Sequence, residues 1–283
     1  MITMDEQYYE YYEARAEDVK LEDITSTQHN ADILERLHDN DPDFTYISIS
    51  NEMYDESDFV ICEGDNLGWL GYFVGRNKQV EGLYIYGFPE NLNIDSFLRG
   101  LGHNRSIQEV YIYTDIGESL QSLGPLLRNN NNFRDLTFAN FYIGLQCARN
   151  IGSMLGQQSS LKCLNFEETN LGDATFVEMA TALSKQPQIE ELHLSTSYIG
   201  RDGCVALGNA LDGMRNPNLA TLDLGHNNID DEGLHALVGG LINCHNLTSL
   251  NLNESESITG GGLCLCPHSS NSNLTIAAWS ILT

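Results

Sequence analysis

Residues 219–229 read Leu219-Ala-Thr-Leu222-Asp-Leu224-Gly-His-Asn227-Asn-Ile229 and open on the spacing apolar-x-x-apolar-x-apolar. Alternating apolar positions mark a strand with one buried face. Ile229 is followed at +5, +8 and +12 by Leu234, Leu237 and Leu241, offsets that put three side chains on one face of a helix. The stretch reads as one strand, a turn and an amphipathic helix.

The strand spacing recurs along the chain. Moving outward it appears at Ile189/Leu192/Leu194, Leu161/Leu164/Phe166, Phe133/Leu136/Phe138 and Ile107/Val110/Ile112. It is also found at Val80/Leu83/Ile85, Phe44/Ile47/Ile49 and, downstream, Leu247/Leu250/Leu252. Successive starts differ by 36, 27, 26, 28, 28, 30 and 28 residues, so the chain is an array of similar units. The helical triplets recur as Cys204/Leu207/Leu211, Phe176/Met179/Leu183 and Ala148/Ile151/Leu155. Asn and Gly gather between each helix and the next strand, where such residues end helices.

These residues resemble a leucine-rich repeat of the ribonuclease-inhibitor-like subtype. The resemblance implies an α/β solenoid: a curved horseshoe with a parallel sheet on its concave side and helices on its convex side. It covers residues 44–283, most strongly 133–253. One departure concerns the family's turn Asn, which is Asn227 here but Ser197, Thr169 and Phe141 in the preceding repeats. Those turns need another partner for their buried backbone.

A single repeat could not fold. It buries five or six aliphatic side chains at about 1.5–3 kcal/mol each, against about 1–2 kcal/mol of backbone entropy for each of its residues. Stacking completes the core.

Three segments are expected. Residues 1–27 read as an acidic, disordered tail, with Tyr8, Tyr9, Tyr11 and Tyr12 among its acids. Residues 28–43 read as an N-terminal capping helix with Ile33, Leu34 and Leu37 on one face, ended by Pro42. Residues 44–283 form the solenoid of about eight repeats. The first spacing leaves room for an insertion at residues 51–66, read as a solvated acidic loop that Phe59-Val60-Ile61 could pin to the core. The C-terminal end is irregular and poorly capped. Leu274 to Thr283 resembles a further strand ending in Trp279, Ile281 and Leu282, an apolar edge open to self-association or to a covering partner.

The 283 residues hold 14 Lys+Arg against 40 Asp+Glu, a formal charge of −26. Nucleic-acid binding needs a cationic footprint and is not expected, nor is docking on anionic membrane. The opening residues lack the apolar core of a secretory signal. None of the seven cysteines forms a CxxC pair, which argues against a disulfide framework or a structural zinc site and for a reducing compartment, the cytoplasm or the nucleus.

Between the apolar strand positions lie residues facing the concave side. One column gives Ser48, Tyr84, Tyr111, Thr137, Asn165, His193, Asp223 and Asn251. The next gives Ser50, Tyr86, Tyr113, Ala139, Glu167, Ser195, Gly225 and Asn253. Tyr84, Tyr86, Tyr111 and Tyr113 are thus expected as neighbours on two strands, and tyrosine is frequent in binding hot spots. Glu109, Asp135, Glu191, His193 and Asp223 complete the candidate binding face, whose carboxylates favour a protein partner with a basic surface.

No catalytic motif is present: no HExxH, GxSxG, P-loop or GxGxxG. Gly260-Gly-Gly262 is too isolated to cradle phosphate. Cys163 and His193 fall on neighbouring strands, read as a chance surface pair rather than a nucleophile and its base. Cys264 and Cys266 offer two metal ligands without a histidine. No cofactor and no metal are expected.

The reading is a non-enzymatic scaffold or adaptor that binds a protein through the concave face. Three alternatives stand beside it, one of them a purely structural assembly module joined through the uncapped C-terminal edge. The Ran GTPase-activating proteins resemble this repeat subtype, but their catalytic loop has no residue-by-residue match here. The sensor repeats of an innate immune receptor would call for a nucleotide-binding domain, and no such motif precedes the repeats.

Overall fold

The computed structural model describes residues 4–53, 55–88, 92, 94–156, 160–214, 217–255, 257–259 and 275–277. It divides into two compact units, Met1–Arg134 and Asp135–Thr283.

The first unit runs α1 (Met4–Glu13), a 3-10 turn (Leu21–Asp23), α2 (Gln28–Asp39), β1 (Tyr46–Ser50), β2 (Asp58–Val60), α3 (Leu67–Arg76) and β3 (Gly82–Ile85). It continues with α4 (Asp95–Leu101), β4 (Glu109–Ile112), a 3-10 helix (Gly117–Leu123) and α5 (Gly124–Asn129). Its strands are parallel in the order β4-β3-β1-β2. Ile47, Leu83 and Val110 stand in register, as do Ile49, Ile85 and Ile112, and all six are buried. Asn77, Asn104 and Asn130 form a buried polar ladder where helices hand over to strands. Their amides donate to the carbonyls of Leu37 (2.9 Å), Val74 (2.8 Å) and Ile107 (2.6 Å) respectively. Leu37 and Val74 lie in the last turns of α2 and α3, where carbonyls lack their full set of intrahelical partners, whereas Ile107 lies just before β4.

The expected disordered tail is instead structured. α1 lays its tyrosines on α3 and α4: the Tyr8 hydroxyl donates to the Gly68 carbonyl (2.7 Å). Tyr9 stacks on His103 with centroids 3.8 Å apart, and Tyr12 meets Trp69 edge-on at 4.8 Å. The Tyr72 hydroxyl donates to Glu13 (2.6 Å), which also pairs with Arg76 (3.3 Å). The positions 8, 9 and 12 share one helical face, so the aromatic content outweighs the acidic composition that suggested disorder. The insertion likewise is not a solvated loop. β2 extends the sheet, pairing Ile49 with Phe59, and both Phe59 and Ile61 are buried.

The second unit alternates β5 (Asp135–Phe138), α6 (Leu145–Leu155), β6 (Cys163–Asn165), α7 (Gly172–Leu183), β7 (Glu191–His193), α8 (Arg201–Asp212), β8 (Thr221–Asp223), α9 (Asp231–Leu241) and β9 (Ser249–Asn251). β10 (Thr275–Ala277) pairs parallel with β9. Leu136, Leu164, Leu192, Leu222 and Leu250 form one buried in-register ladder. The helical triplets read from the sequence are all buried against it. β5 to β9 each lead into a turn with a residue in the left-handed region, Asn140, Glu168, Thr196, His226 and Glu254, with φ between 53° and 62°, and the turn after β7 has a second, Tyr198. That recurring backbone strain is held by the stacking of repeats.

Asn227 explains how one turn is held. Its amide donates to the carbonyls of Leu194 (2.6 Å), Leu224 (3.0 Å) and Gly225 (3.1 Å). Its oxygen accepts from the backbone of Ser197 (3.2 Å) and Ile199 (2.8 Å). At two of the three turns where the Asn is replaced, a hydroxyl substitutes: Ser197 and Thr169 both donate to the Phe166 carbonyl at 2.7 Å, whereas the Phe141 side chain has no polar group to do so. Helices approach so closely at Gly208 and Gly240 that a Cβ on either would enter the backbone of its neighbour. Trp279, Ile281, Leu282, Cys264, Cys266 and Gly260-Gly-Gly262 lie outside the described residues, as does most of the C-terminal edge.

Candidate interaction face

The nine candidate residues fall into two groups: Tyr84, Tyr86, Glu109, Tyr111 and Tyr113 in the first unit, and Asp135, Glu191, His193 and Asp223 in the second. In the first group, parallel pairing sets Tyr84 opposite Tyr111, and the two-residue period puts Tyr86 and Tyr113 on the same face. The rings stack in two columns. Tyr84 and Tyr111 lie 4.9 Å apart with planes at 10°, Tyr86 and Tyr113 4.8 Å apart at 12°.

The Tyr84 hydroxyl donates to Glu109 at 2.6 Å. Burial, and then this hydrogen bond to a carboxylate, push its phenol above the usual tyrosine range. Tyr84 therefore remains a neutral ring with its hydroxyl fixed, a firm wall for a ligand. Burial raises the phenols of Tyr86 and Tyr113 as well. Tyr86 keeps 43% of its surface exposed.

Sequence reading missed the group beside this quartet. Tyr46 meets Tyr84 nearly perpendicular, 83° at 6.3 Å, and is 46% exposed. Tyr46, Ser48, Tyr84 and Tyr86, with Asp55 and Asp58, line a cavity of about 600 Å³. Asp58 is buried and accepts from the Asp55 backbone at 2.7 Å. Hydrogen bonds from the backbone and hydroxyl of Ser57 hold the Asp55 carboxyl below the usual range, aided by the Tyr46 hydroxyl. Asp55 is thus a carboxylate at neutral pH beside three aromatic rings. The cavity exists because β2 brings both aspartates alongside β1, and β2 had no clear strand signal.

In the second group, His193 sits between two carboxylates, with Nε2 at 3.2 Å from Glu191 and Nδ1 at 3.6 Å from Glu167. Asp223 pairs in register with His193. Its carboxylate accepts from the Gly225 backbone and the Asn251 amide, both at 2.9 Å. Cys163 pairs in register with Asp135 on one side and Glu191 on the other. Burial, then Asp135, Glu191 and Glu167, push its thiol up to about 12, so it is protonated and a poor nucleophile as it stands. Two sets of potential metal ligands share His193. Cys163, Glu191 and His193 bring their ligand atoms within 4.8 Å of one another, as do Glu167, His193 and Asp223.

Among the described residues, no helix is long and apolar enough to cross a membrane. The described cysteines 62, 147, 163, 204 and 244 are all free thiols.

A leucine-rich-repeat family model matches residues 215–238, a stretch that holds β8, the turn after it and most of α9. Protein NLRC5 of Ictalurus punctatus is 30% identical over 141 residues, which is 50% of this chain and 8% of that protein. The human NACHT, LRR and PYD domains-containing protein 13 is 33% identical over 94 residues, 33% of this chain and 9% of that protein. The chain thus matches less than a tenth of the length of either relative. Among solved structures, an internalin from Listeria monocytogenes aligns over 100% of this chain and 91% of its own at 14% identity, with a TM-score of 0.36. That alignment is too loose to bear on the fold. The in-register strand–helix repeats of both units have the leucine-rich-repeat arrangement, and residues 215–238 match the leucine-rich-repeat family model.

Proposed function

We propose that this chain is a protein-interaction module that binds a partner with a basic surface through the helix-free face of its sheet. The observation that carries the reading is the pair of stacked tyrosine columns beside an acidic cavity. Aromatic faces attract ammonium and guanidinium groups, and rings locked in place lose little entropy on binding. Asp55, Asp58 and Glu109 supply complementary charge, which chiefly raises association rate and selectivity. The role is recognition rather than chemistry, since the groups gathered around the tyrosine columns are carboxylates without a nucleophile–base pair. The free thiols suit a reducing compartment, the cytoplasm or the nucleus.

A second reading is favoured by one specific observation. Both curated relatives are several-fold longer than this chain, and one carries NACHT and PYD in its name alongside LRR. The array would then act as the sensor repeats of an innate immune receptor-like protein. The tyrosine face would be the sensing surface, so the two readings differ in assembly rather than in site.

The test is affinity capture from cell extract at low and high salt, with Tyr84, Tyr86, Tyr111 and Tyr113 all replaced by alanine as control. Partners released by salt and absent from the variant support the reading. Identical capture by both proteins would remove it.

A further inference from the structure

We infer that the second unit holds a site for a borderline divalent cation, with Zn²⁺ as the best match, ligated by Cys163, His193 and Glu191 and steadied by Glu167. The inference is independent of the tyrosine face, which belongs to the other unit.

The ligands come from rigid elements. Cys163 begins β6, and Glu191 and His193 are the first and last residues of β7. Cys163 is paired in register with Glu191, and His193 lies two residues on, on the same face of the sheet. Neighbouring parallel strands are about 4.8 Å apart, so the short Cys163 side chain and the longer Glu191 and His193 converge above two strands. The convergence is already close. Tetrahedral zinc with bonds of about 2.0–2.3 Å sets its ligand atoms about 3.3–3.8 Å apart. His193 Nε2 is 3.2 Å from Glu191, and all three ligand atoms lie within 4.8 Å of each other. Side-chain rotation closes the difference without moving a strand.

The chemistry selects the metal. Carboxylates alone would mark a solvated acidic face, but an imidazole and a thiol among them favour zinc and its borderline neighbours over magnesium or calcium. The two overlapping ligand sets resolve into one site. With Nε2 on the metal, Nδ1 carries the proton and donates to Glu167, now 3.6 Å away, giving the carboxylate–histidine–metal arrangement that fixes tautomer and ring orientation. Asp223 Oδ1 already accepts from the Gly225 backbone and the Asn251 amide, and a thiolate is the softer ligand, which makes Cys163 the better third ligand for zinc. Lys162, next to Cys163, is paired with Glu190 at 2.7 Å.

Charge also favours a cation here. The carboxylates of Asp135, Glu191 and Glu167 that disfavour a thiolate at Cys163 attract a cation to the same spot. Binding transfers the Cys163 proton to solvent and forms a metal–thiolate bond, so affinity rises with pH. Three protein ligands leave the fourth position to water or to a group from a partner.

The experiment is titration of the full chain, reduced, with Co²⁺ and then Zn²⁺. Absorbance reads the thiolate-to-cobalt charge transfer, and calorimetry reads stoichiometry. The background carries Cys264→Ser and Cys266→Ser, which removes the other pair of neighbouring thiols. One equivalent of metal is expected, with a charge-transfer band that disappears in Cys163→Ser. His193→Gln and Glu191→Gln, both on the sheet surface, are expected to weaken Zn²⁺ by at least tenfold, and Glu167→Gln by about tenfold while the band remains. Melting curves of each variant without metal verify that it is folded. Absence of stoichiometric binding would overturn the inference. So would a charge-transfer band unaffected by Cys163→Ser, or Mg²⁺ and Ca²⁺ binding as tightly as Zn²⁺.

Discussion

Tyr84 and Tyr111 stack ring on ring, 4.9 Å between centroids and 10° between planes, on strands whose pairing sets them directly opposite. Such a stack is worth about 0.5–1.5 kcal/mol beyond its buried area. Joint Tyr84→Ala and Tyr111→Ala is therefore expected to lower stability by only about 1–3 kcal/mol in denaturant melts. Affinity for a cationic partner is expected to fall by about tenfold or more, as at a hot spot. A collapse of the fold, or unchanged affinity, would show that the tyrosines serve the core or serve nothing.

Alkaline pH is a second test. Tyr8 and Tyr84 are raised above the ordinary value, chiefly by burial, and Tyr72 is pushed up to about 12 by burial and its hydrogen bond to Glu13. In the unfolded chain these phenols ionise near about pH 10. Their contribution is thus complete below about pH 10 and is lost as pH rises toward the folded values. The melting temperature of the first unit is expected to fall from about pH 10 upward, with Tyr72 releasing its proton only near or with unfolding. Tyr72→Phe should flatten that slope. Ordinary titration of every tyrosine near pH 10 in the folded protein would contradict the packing described.

Deleting residues 1–13 separates an ordered α1 from a disordered tail. Trp69 is buried and faces Tyr12, so removal of α1 should shift its fluorescence to the red. Loss of two or three partly buried aromatics predicts about 2–5 kcal/mol of destabilisation. An unchanged spectrum and melt would return the segment to a solvated tail.

Two adjacent glycines in α9 should respond in opposite directions. A Cβ on Gly240 would enter the Gly208 backbone, whereas a Cβ on Gly239 meets nothing within 4 Å. Gly240→Ala is expected to cost about 1–3 kcal/mol through overpacking. Gly239→Ala should gain up to about 1 kcal/mol from helix propensity. Chemical denaturation of both variants decides it, and equal effects would contradict the α8–α9 approach.

The repeat was legible because apolar spacing is a local signal. Leu219, Leu222 and Leu224 mark a strand without any knowledge of neighbours, and a spacing of 26 to 30 residues sets the register. That register alone brings Tyr84 onto Tyr111 and His193 onto Asp223. What escaped depends on partners distant in sequence. Tyr8, Tyr9 and Tyr12 look like part of an acidic tail until Trp69, Tyr72 and His103 are placed beneath them. Asp55 and Asp58 look solvated until β2 pairs with β1. Cys163 and His193 looked like a chance pair because the strand pattern gives neighbours but not the convergence of Glu167 and Glu191 on one imidazole.

The most direct measurement is an NMR titration of the tyrosine ring resonances with short peptides bearing lysine, trimethyllysine, arginine or glutamate. Saturable shifts at Tyr46, Tyr84 and Tyr86 with the cationic peptides, absent with the glutamate peptide and lost in Tyr84→Ala, are the expected result. Equal shifts with the acidic peptide, or none at those rings with any of the four, would contradict cation recognition at this face.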